Sequence, residues 1–465
     1  MSNTVKNYFG PFASLKLTVV LLGMSTFLVF AGTVAQIDKG IWTVVDEYFR
    51  CAVTWIDLQI FFPRDWNVPG GFWYPGGWLI GGLLFANILG AHLVRFKVHA
   101  RGGQLAAGLV VLAAGVLLTW LIVIGVFNQD IAVTEDAAFW RVLFRLAKGG
   151  GAAIVLMIGC LLVFKRRAGI VLLHSGIILL FVWEFVTGTY AVEGRMRIEA
   201  GQSVNYVEDT RSVELAFIDR SDPDVDRVTV IAAGRLQRGG LIRDARLPVD
   251  VEVVRYMSNS RVLDATRIGP SVTNPATVGA GVHAVAVEQP RAGGVDQAQS
   301  VDVPAVYVTL TQKDDGRSLG TYLATPWIDG TSLHRQIVEV DGSEHDVYLR
   351  FARTYKPYRI ELIEFRHDKY VGTEKPRNFS SLVRLVDEAQ GIDRTVNIWM
   401  NNPLRYAGET FYQSSFEPGR NVTILQVVRN DGWLLPYLSC MFVGVGLAVH
   451  MGGNLVRFLR RRVSP

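Results

Sequence analysis

Cysteine is nearly missing. Three occur in 465 residues, Cys51, Cys160 and Cys440, and none lies between residues 190 and 431. That long polar stretch therefore has no disulfide framework. No CxxC or CxxCH occurs, which argues against a dithiol redox motif and against a covalently attached c-type haem on this chain. Cys160 and Cys440 fall inside apolar runs, where a free cysteine usually behaves as a small core residue. The excess of one sign of charge is also small, with 47 Lys and Arg against 42 Asp and Glu. The net charge of +5 is small for this length, and the basic residues cluster beside apolar runs instead of forming a nucleic-acid surface. P-loop, HExxH, Ser-His-Asp and paired-carboxylate signatures are missing, so nothing makes a case for an ATPase or a hydrolase. There is no fixed-period repeat.

What the chain has is long apolar runs, within 50% hydrophobic residues overall. The stretch Ala168–Gln202 organises the rest: it follows Lys165-Arg166-Arg167, runs apolar for about one membrane thickness and then enters a polar region at Gly188. Five apolar runs lie in its membrane half: Leu15–Ala35, Trp78–Val94, Leu105–Phe127, Ala152–Phe164 and Ala168–Thr187. The first is long for a signal sequence and ends in a poor cleavage site, so it reads as a retained span. The fourth needs its preceding glycines to reach about 20 residues. A last run, Trp433–Val456, leads into Arg457 and Arg460–Arg462. Placing the basic clusters on one side gives about six spans with both termini in the cytoplasm. Trp42, Trp55, Trp66, Trp73 and Tyr74 crowd the first outer loop, as suits a membrane interface.

Residues 190–431 read differently. Val213–Ile218, Arg227–Ile231, Val249–Val254, Val306–Leu310 and Asp346–Phe351 are short, Val/Ile/Tyr-rich and punctuated by turn residues, which predicts antiparallel strands in a sandwich or open barrel. Ser271–Asp302, rich in Gly, Ala, Pro and Val, reads as a long loop. The fold class is thus a polytopic α-helical membrane protein with a large β-rich extracytoplasmic domain. Its parts are residues 1–189 (membrane), 190–431 (outer) and 432–465 (last span and basic tail).

Histidine carries the chemistry. His92, His174 and His450 lie within spans, toward the basic ends. His174 follows Arg167 by seven residues and His450 precedes Arg457 by seven, so each sits roughly 10 Å in from its anchor at about 1.5 Å per residue. A strongly polar group within a span is costly and reads first as functional, and imidazole is a common axial ligand of haem iron. His174, in a strongly apolar run, reads as such a ligand. His450 is open between ligation and a hydrogen bond to Asn454 one turn on. His92, near the interface, reads as a hydrogen-bonding packing residue. The scattered His283, His334, His345 and His367 read as solvated surface, and Glu184 as a solvated or paired carboxylate near the outer interface.

Four stretches in order resemble a known family: FASLKL at Phe12–Leu17 with Ala31-Gly32-Thr33; RAGIVLLHSGIILLF followed by EGRMRIEAGQS; Tyr358–Leu362 through FRHDKYVGTEKPRNFSSLVRLVD; and VNIWMNNPLRYAGETFYQSSF at 396–416. The chain resembles the ResB-type, or CcsB, subunit of system II cytochrome c maturation over most of its length. The resemblance implies a bacterial inner-membrane protein that helps deliver haem b across the membrane to apocytochrome c. It implies a haem-binding role for the histidine before the outer domain, His174 here, and a CcsA/ResC-like partner bearing a tryptophan-rich segment that this chain lacks. The chain would bind and orient, and the attachment chemistry would need the partner and reduced client cysteines. His450 is a weaker candidate for the second ligand, on position alone. The family usually has three spans before the outer domain, so Leu105–Phe164 looks like an inserted pair that leaves the sidedness of His174 unchanged. The competing reading is a haem-free membrane scaffold, or an outer-domain subunit of a transporter or sensor, with His174 as a packing residue.

Overall fold

The computed structural model describes residues 10–95, 98–126, 137–223, 225–267, 272–291, 302–329, 336–340, 342–369, 372, 376–417 and 420–463. Helix α1 (Leu15–Lys39) starts where Ser14 Oγ accepts from Leu17 N, and stops at Gly40, whose φ of 76° an L side chain rarely adopts. Next come the hairpin β1 (Val53–Asp57) and β2 (Gly71–Pro75), then α2 (Gly77–Arg95), α3 (Gly102–Val123), α4 (Ala137–Phe164), α5 (Ala168–Tyr190) and, after the β region, α6 (Leu435–Val463). Among the described residues, five helical stretches are long and apolar enough to cross a membrane: Leu15–Lys39, Gly77–Val94, Gly102–Val123, Val142–Tyr190 and Leu435–Arg462.

The fourth of these is 49 residues long and consists of α4 and α5 joined by a 3₁₀ turn at Lys165–Arg167. Lys165 has φ 53°, outside the right-handed helical region, and this breaks the run. Helix α4 begins at Ala137, well before the apolar run from Ala152, and takes in Gly149–Gly151. Phe127, at the end of the third expected run, and the acidic Asp130, Glu135 and Asp136 lie outside the described residues.

Helices α5 and α6 meet backbone to backbone. A Cβ on Gly446 would come 2.6 Å from Leu173 N and 2.7 Å from Gly169 O, and one on Gly176 would come 2.8 Å from Ser439 O. Small residues permit this approach where apolar area alone drives no association in lipid. Gly446→Val should therefore force the pair apart and cost about 1–3 kcal/mol. Gly444→Val, with nothing within 4 Å of its Cβ position, should be neutral. Melting of the two variants in detergent checks this, and equal melting temperatures would contradict it.

Ala191 alone separates α5 from the first strand of the β region, so the histidine-bearing helix runs directly into it. A 10-stranded sheet orders β15 (Ile392–Trp399), β14 (Pro376–Asp387), β13 (Ser343–Lys369), β4 (Ser203–Asp219), β3 (Val192–Glu199), β18 (Val422–Arg429), β17 (Glu409–Phe416) and β16 (Leu404–Tyr406). Strand β12 (Ile337–Val340) pairs with β13, and β5 (Arg227–Ala232) with β4. A four-stranded sheet orders β11 (Ser318–Ala324), β10 (Ala305–Gln312), β7 (Val249–Met257) and β6 (Gly240–Ile242).

Two cores result. In one, Val213, Leu215 and Phe217 of β4 face Val249, Val251 and Val253 of β7. In the other, Met196, Ile360, Val383 and Phe411 meet where the large sheet curls on itself. The long strands β4 and β13 cross both cores, with register shifts between Phe351 and Arg353 and between Tyr355 and Ile360. Each strand run expected from the sequence lies inside an observed strand. The loop expected over Ser271–Asp302 instead contains β9 (Ala284–Glu288), paired with β8 (Ser260–Asp264); residues 292–301 lie outside the described residues.

Several contacts tie the β region to the helical part. Arg211 lies 3.8 Å over the Trp42 ring, Arg291 Nη1 donates to Thr43 Oγ1 at 2.8 Å, and Trp433 is flanked by Arg145 (4.7 Å) and Arg405 (4.0 Å).

On the side of the β region away from α5, Arg197 makes a two-pronged ion pair with Glu417, at 2.6 and 2.9 Å. The hydrogen bonds from Arg197 hold the Glu417 carboxyl below its ordinary range. A depressed folded-state pKa contributes stability above the unfolded value, about 4.3, and that contribution is lost as pH falls through the folded value. Glu417→Gln should accordingly lose less stability than wild type when melts are compared between about pH 5 and pH 3. Parallel acid limbs would contradict this.

A histidine pair between two apolar helices

Helices α2 and α5 are neighbours, and each places one histidine on their shared face. His92 Nε2 and His174 Nδ1 are 2.8 Å apart, with the rings nearly perpendicular at 84°. Both residues are half-buried. One ring must donate and the other accept, so their tautomers are complementary. Farther along the same helix interface, Phe85 of α2 packs on Phe181 of α5 at 6.3 Å, and Trp78 on Phe185 at 6.3 Å.

His92, read from the sequence as a packing residue, is thus the direct partner of His174. Periodicity could not pair them, since it does not say which helix faces meet. His450 lies elsewhere on the helix pair. Its Cβ approaches Gly169, five residues before His174, and its Nε2 is 3.3 Å from Asn454 Nδ2. Asn454 Oδ1 in turn accepts from Arg457 Nη2 at 2.5 Å. The Asn454 hydrogen bond, one of the two readings open for His450, is therefore formed.

The donor chemistry suits haem, because imidazole nitrogen is a standard axial ligand. An iron between two imidazoles needs about 2.0–2.1 Å on each side, as metal–imidazole bonds generally do. The 2.8 Å hydrogen bond excludes an iron between these two atoms, so ligation requires at least one ring to turn. Among the described residues, no group of three or more His, Cys, Asp or Glu side chains is placed to hold a metal ion.

The outer histidines divide. His283 is exposed, His345 is half-buried on β13 and His334 lies outside the described residues. His367 is not solvated in the way expected. It stacks against Phe379 (4.9 Å) and Phe416 (4.6 Å), and its Nε2 is buried with no hydrogen-bond partner among the described residues. A second polar cluster was also not foreseen. Buried Glu409 accepts from Lys356 Nζ at 2.6 Å and from the Tyr358 hydroxyl. Burial, with the Glu409 carboxylate beside it, holds the Tyr358 hydroxyl well above its ordinary range, so it stays a donor.

Residues 327–433 match the ResB-like family. The matched segment holds β12 to β18 and the Lys356–Tyr358–Glu409 cluster, and it takes in the third and fourth of the stretches that carry the resemblance. His92 and His174 lie outside it. Protein NrfI of Wolinella succinogenes is also similar, 29% identical over 128 residues. That alignment covers 28% of this chain and 14% of NrfI, so the chain spans a small share of that relative's length. Within the ResB-like segment, much of 396–416 is interior: Ile398, Leu404 and Phe411 are core residues, whereas Met400 and Tyr412 are exposed.

Proposed function

We propose that this protein acts in cytochrome c biogenesis, as a ResB-like subunit that holds haem b in the membrane and helps present it to apocytochrome c. The observation that carries the site is the convergence of His92 and His174 from adjacent apolar helices. The ResB-like match over residues 327–433 supports the biogenesis role. His174 is one axial ligand in this reading. His92 is its gate or its companion ligand, and His450, held by Asn454, is the outlying candidate.

The 49-residue stretch Val142–Tyr190 would measure about 73 Å as one helix, over twice the hydrocarbon thickness of about 30 Å. Counting α4 and α5 as two spans gives six. The basic ends then gather on one face, where His99 N bonds Val163 O at 3.1 Å and Gly169 meets His450. By the excess of Lys and Arg this face is cytoplasmic, in a bacterial inner membrane, and the β region is extracytoplasmic.

A CcsA/ResC-like membrane protein completes the site, with contact through the exposed turns around Met400 and Ala407–Gly408. Membrane lipid surrounds the helices. This chain supplies binding and orientation. Haem attachment itself joins haem to the reduced CxxCH cysteines of the client. The same hydrogen bond favours one competing reading, in which two histidines simply bond across a helix interface of a haem-free scaffold. Deleting the chain from a strain that makes a c-type cytochrome tests the role: haem-stained cytochrome should vanish while apocytochrome is still made. Unchanged haem staining would sink the proposal.

A further inference from the structure

The β5 edge of the large sheet is open. β5 pairs with β4 along its whole length, Arg227 opposite Asp219 to Ala232 opposite Glu214, and no strand pairs with its other side among the described residues. Edge strands are normally blunted by charge along the strand. Another edge strand of the same sheet, β15, follows that rule with Asp393 and Arg394. β5 does not: after Arg227 it reads Val-Thr-Val-Ile-Ala, and Val230 is exposed.

A groove of about 670 Å³ runs beside all six β5 residues. Ile231 and Ile242 form an apolar floor, and the far wall comes from the segment after β6. Four guanidinium groups line it (Arg227, Arg235, Arg243 and Arg246) against a single lining carboxylate, Asp244. Arg246 is held by Asp244 at 2.8–3.0 Å, Arg243 by Asp250 at 3.0 Å, and Arg235 by the carbonyls of Gly239 and Leu241 at 2.9 and 2.7 Å. The groove therefore combines unpaired strand edge, apolar floor and excess positive charge, in a volume within the usual range for ligand sites.

We propose that this groove binds an extended, acidic peptide segment of a partner protein, which adds as a strand to β5 while its carboxylates meet the arginine wall. Main-chain hydrogen bonds supply affinity in such strand addition, and alternate side chains supply selectivity. The proposal is independent of the haem reading, because it concerns a different face of the β region.

The test uses the full chain in detergent and a fluorescein-labelled peptide of alternating valine and glutamate, read by fluorescence anisotropy. Wild type should bind it. A lysine-for-glutamate peptide, and the valine–glutamate peptide N-methylated at alternate amides, should each bind at least about tenfold more weakly, as should the acidic peptide to Arg227→Glu. Arg227→Lys should keep the affinity. Equal affinity for the N-methylated and plain peptides would overturn strand addition in the wild-type protein itself, whatever the folding of the variants. So would competition by anionic phosphatidylglycerol vesicles but not by unlabelled peptide, which would reassign the groove to lipid headgroups.

Discussion

His174→Ala should abolish cytochrome c maturation in cells, with haem-stained product falling by well over tenfold while the protein still reaches the membrane. Most neighbours of His174 along α5 are apolar, so its imidazole carries the polar chemistry at that level together with His92. Altering a group that merely orients a metal ligand commonly costs 10- to 100-fold in affinity or activity, and removing the ligand itself should cost more. His92→Ala should do less damage if His92 gates and similar damage if it ligates. His450→Ala should leave product near wild type, since Asn454 and not His174 is its neighbour. A packing role predicts a different pattern: reduced protein level in step with reduced product. His174→Gly with added imidazole separates the two, because a free imidazole can restore a ligand but not a covalent packing contact.

Arg350→Ala should be the most damaging single change in the β region. Arg350 and Glu214 lie opposite each other on β13 and β4, bonded at 2.9 Å, with side-chain exposures of 8% and 9%. Removing the arginine leaves a buried carboxylate without its partner, which typically costs about 3–5 kcal/mol. Replacing the pair together, as Arg350→Met with Glu214→Leu, should recover most or all of that loss, since hydrophobic residues of similar volume often substitute for a buried ion pair without cost. Urea unfolding followed by tryptophan fluorescence checks both variants. A single variant within about 0.5 kcal/mol of wild type would mean that water reaches the pair.

The apolar helices were legible because a span needs about 20 nearly uninterrupted apolar residues, and α1, α2, α3, α5 and α6 supply them. The start of α4 was not. Gly149–Gly151 weaken a helix by roughly 1 kcal/mol each relative to alanine, and what supports them is tertiary: the Cβ positions of Gly149 and Gly150 approach Met441 of α6. The strands were legible from alternation, but their division between two cores was not, because that depends on β4 and β13 passing through both. β13 continues through Lys356-Pro357 with a register shift. His174 stood out as a polar group in an apolar run. The identity of its neighbour did not, because helix-face contacts are set by packing. His367 misled for a related reason. Its flanks, Arg366 and Asp368, are polar, whereas the rings that enclose it come from β14 and β17.

The central claim is that this chain holds haem through a membrane histidine. The most direct measurement is the visible absorption spectrum of the chain purified in detergent together with its CcsA/ResC-like partner, wild type against His174→Ala. Wild type should show a Soret band, and His174→Ala should lose it or change its axial-ligand signature, which added imidazole should restore in His174→Gly. Identical haem content and identical axial-ligand spectra in wild type and His174→Ala would contradict it.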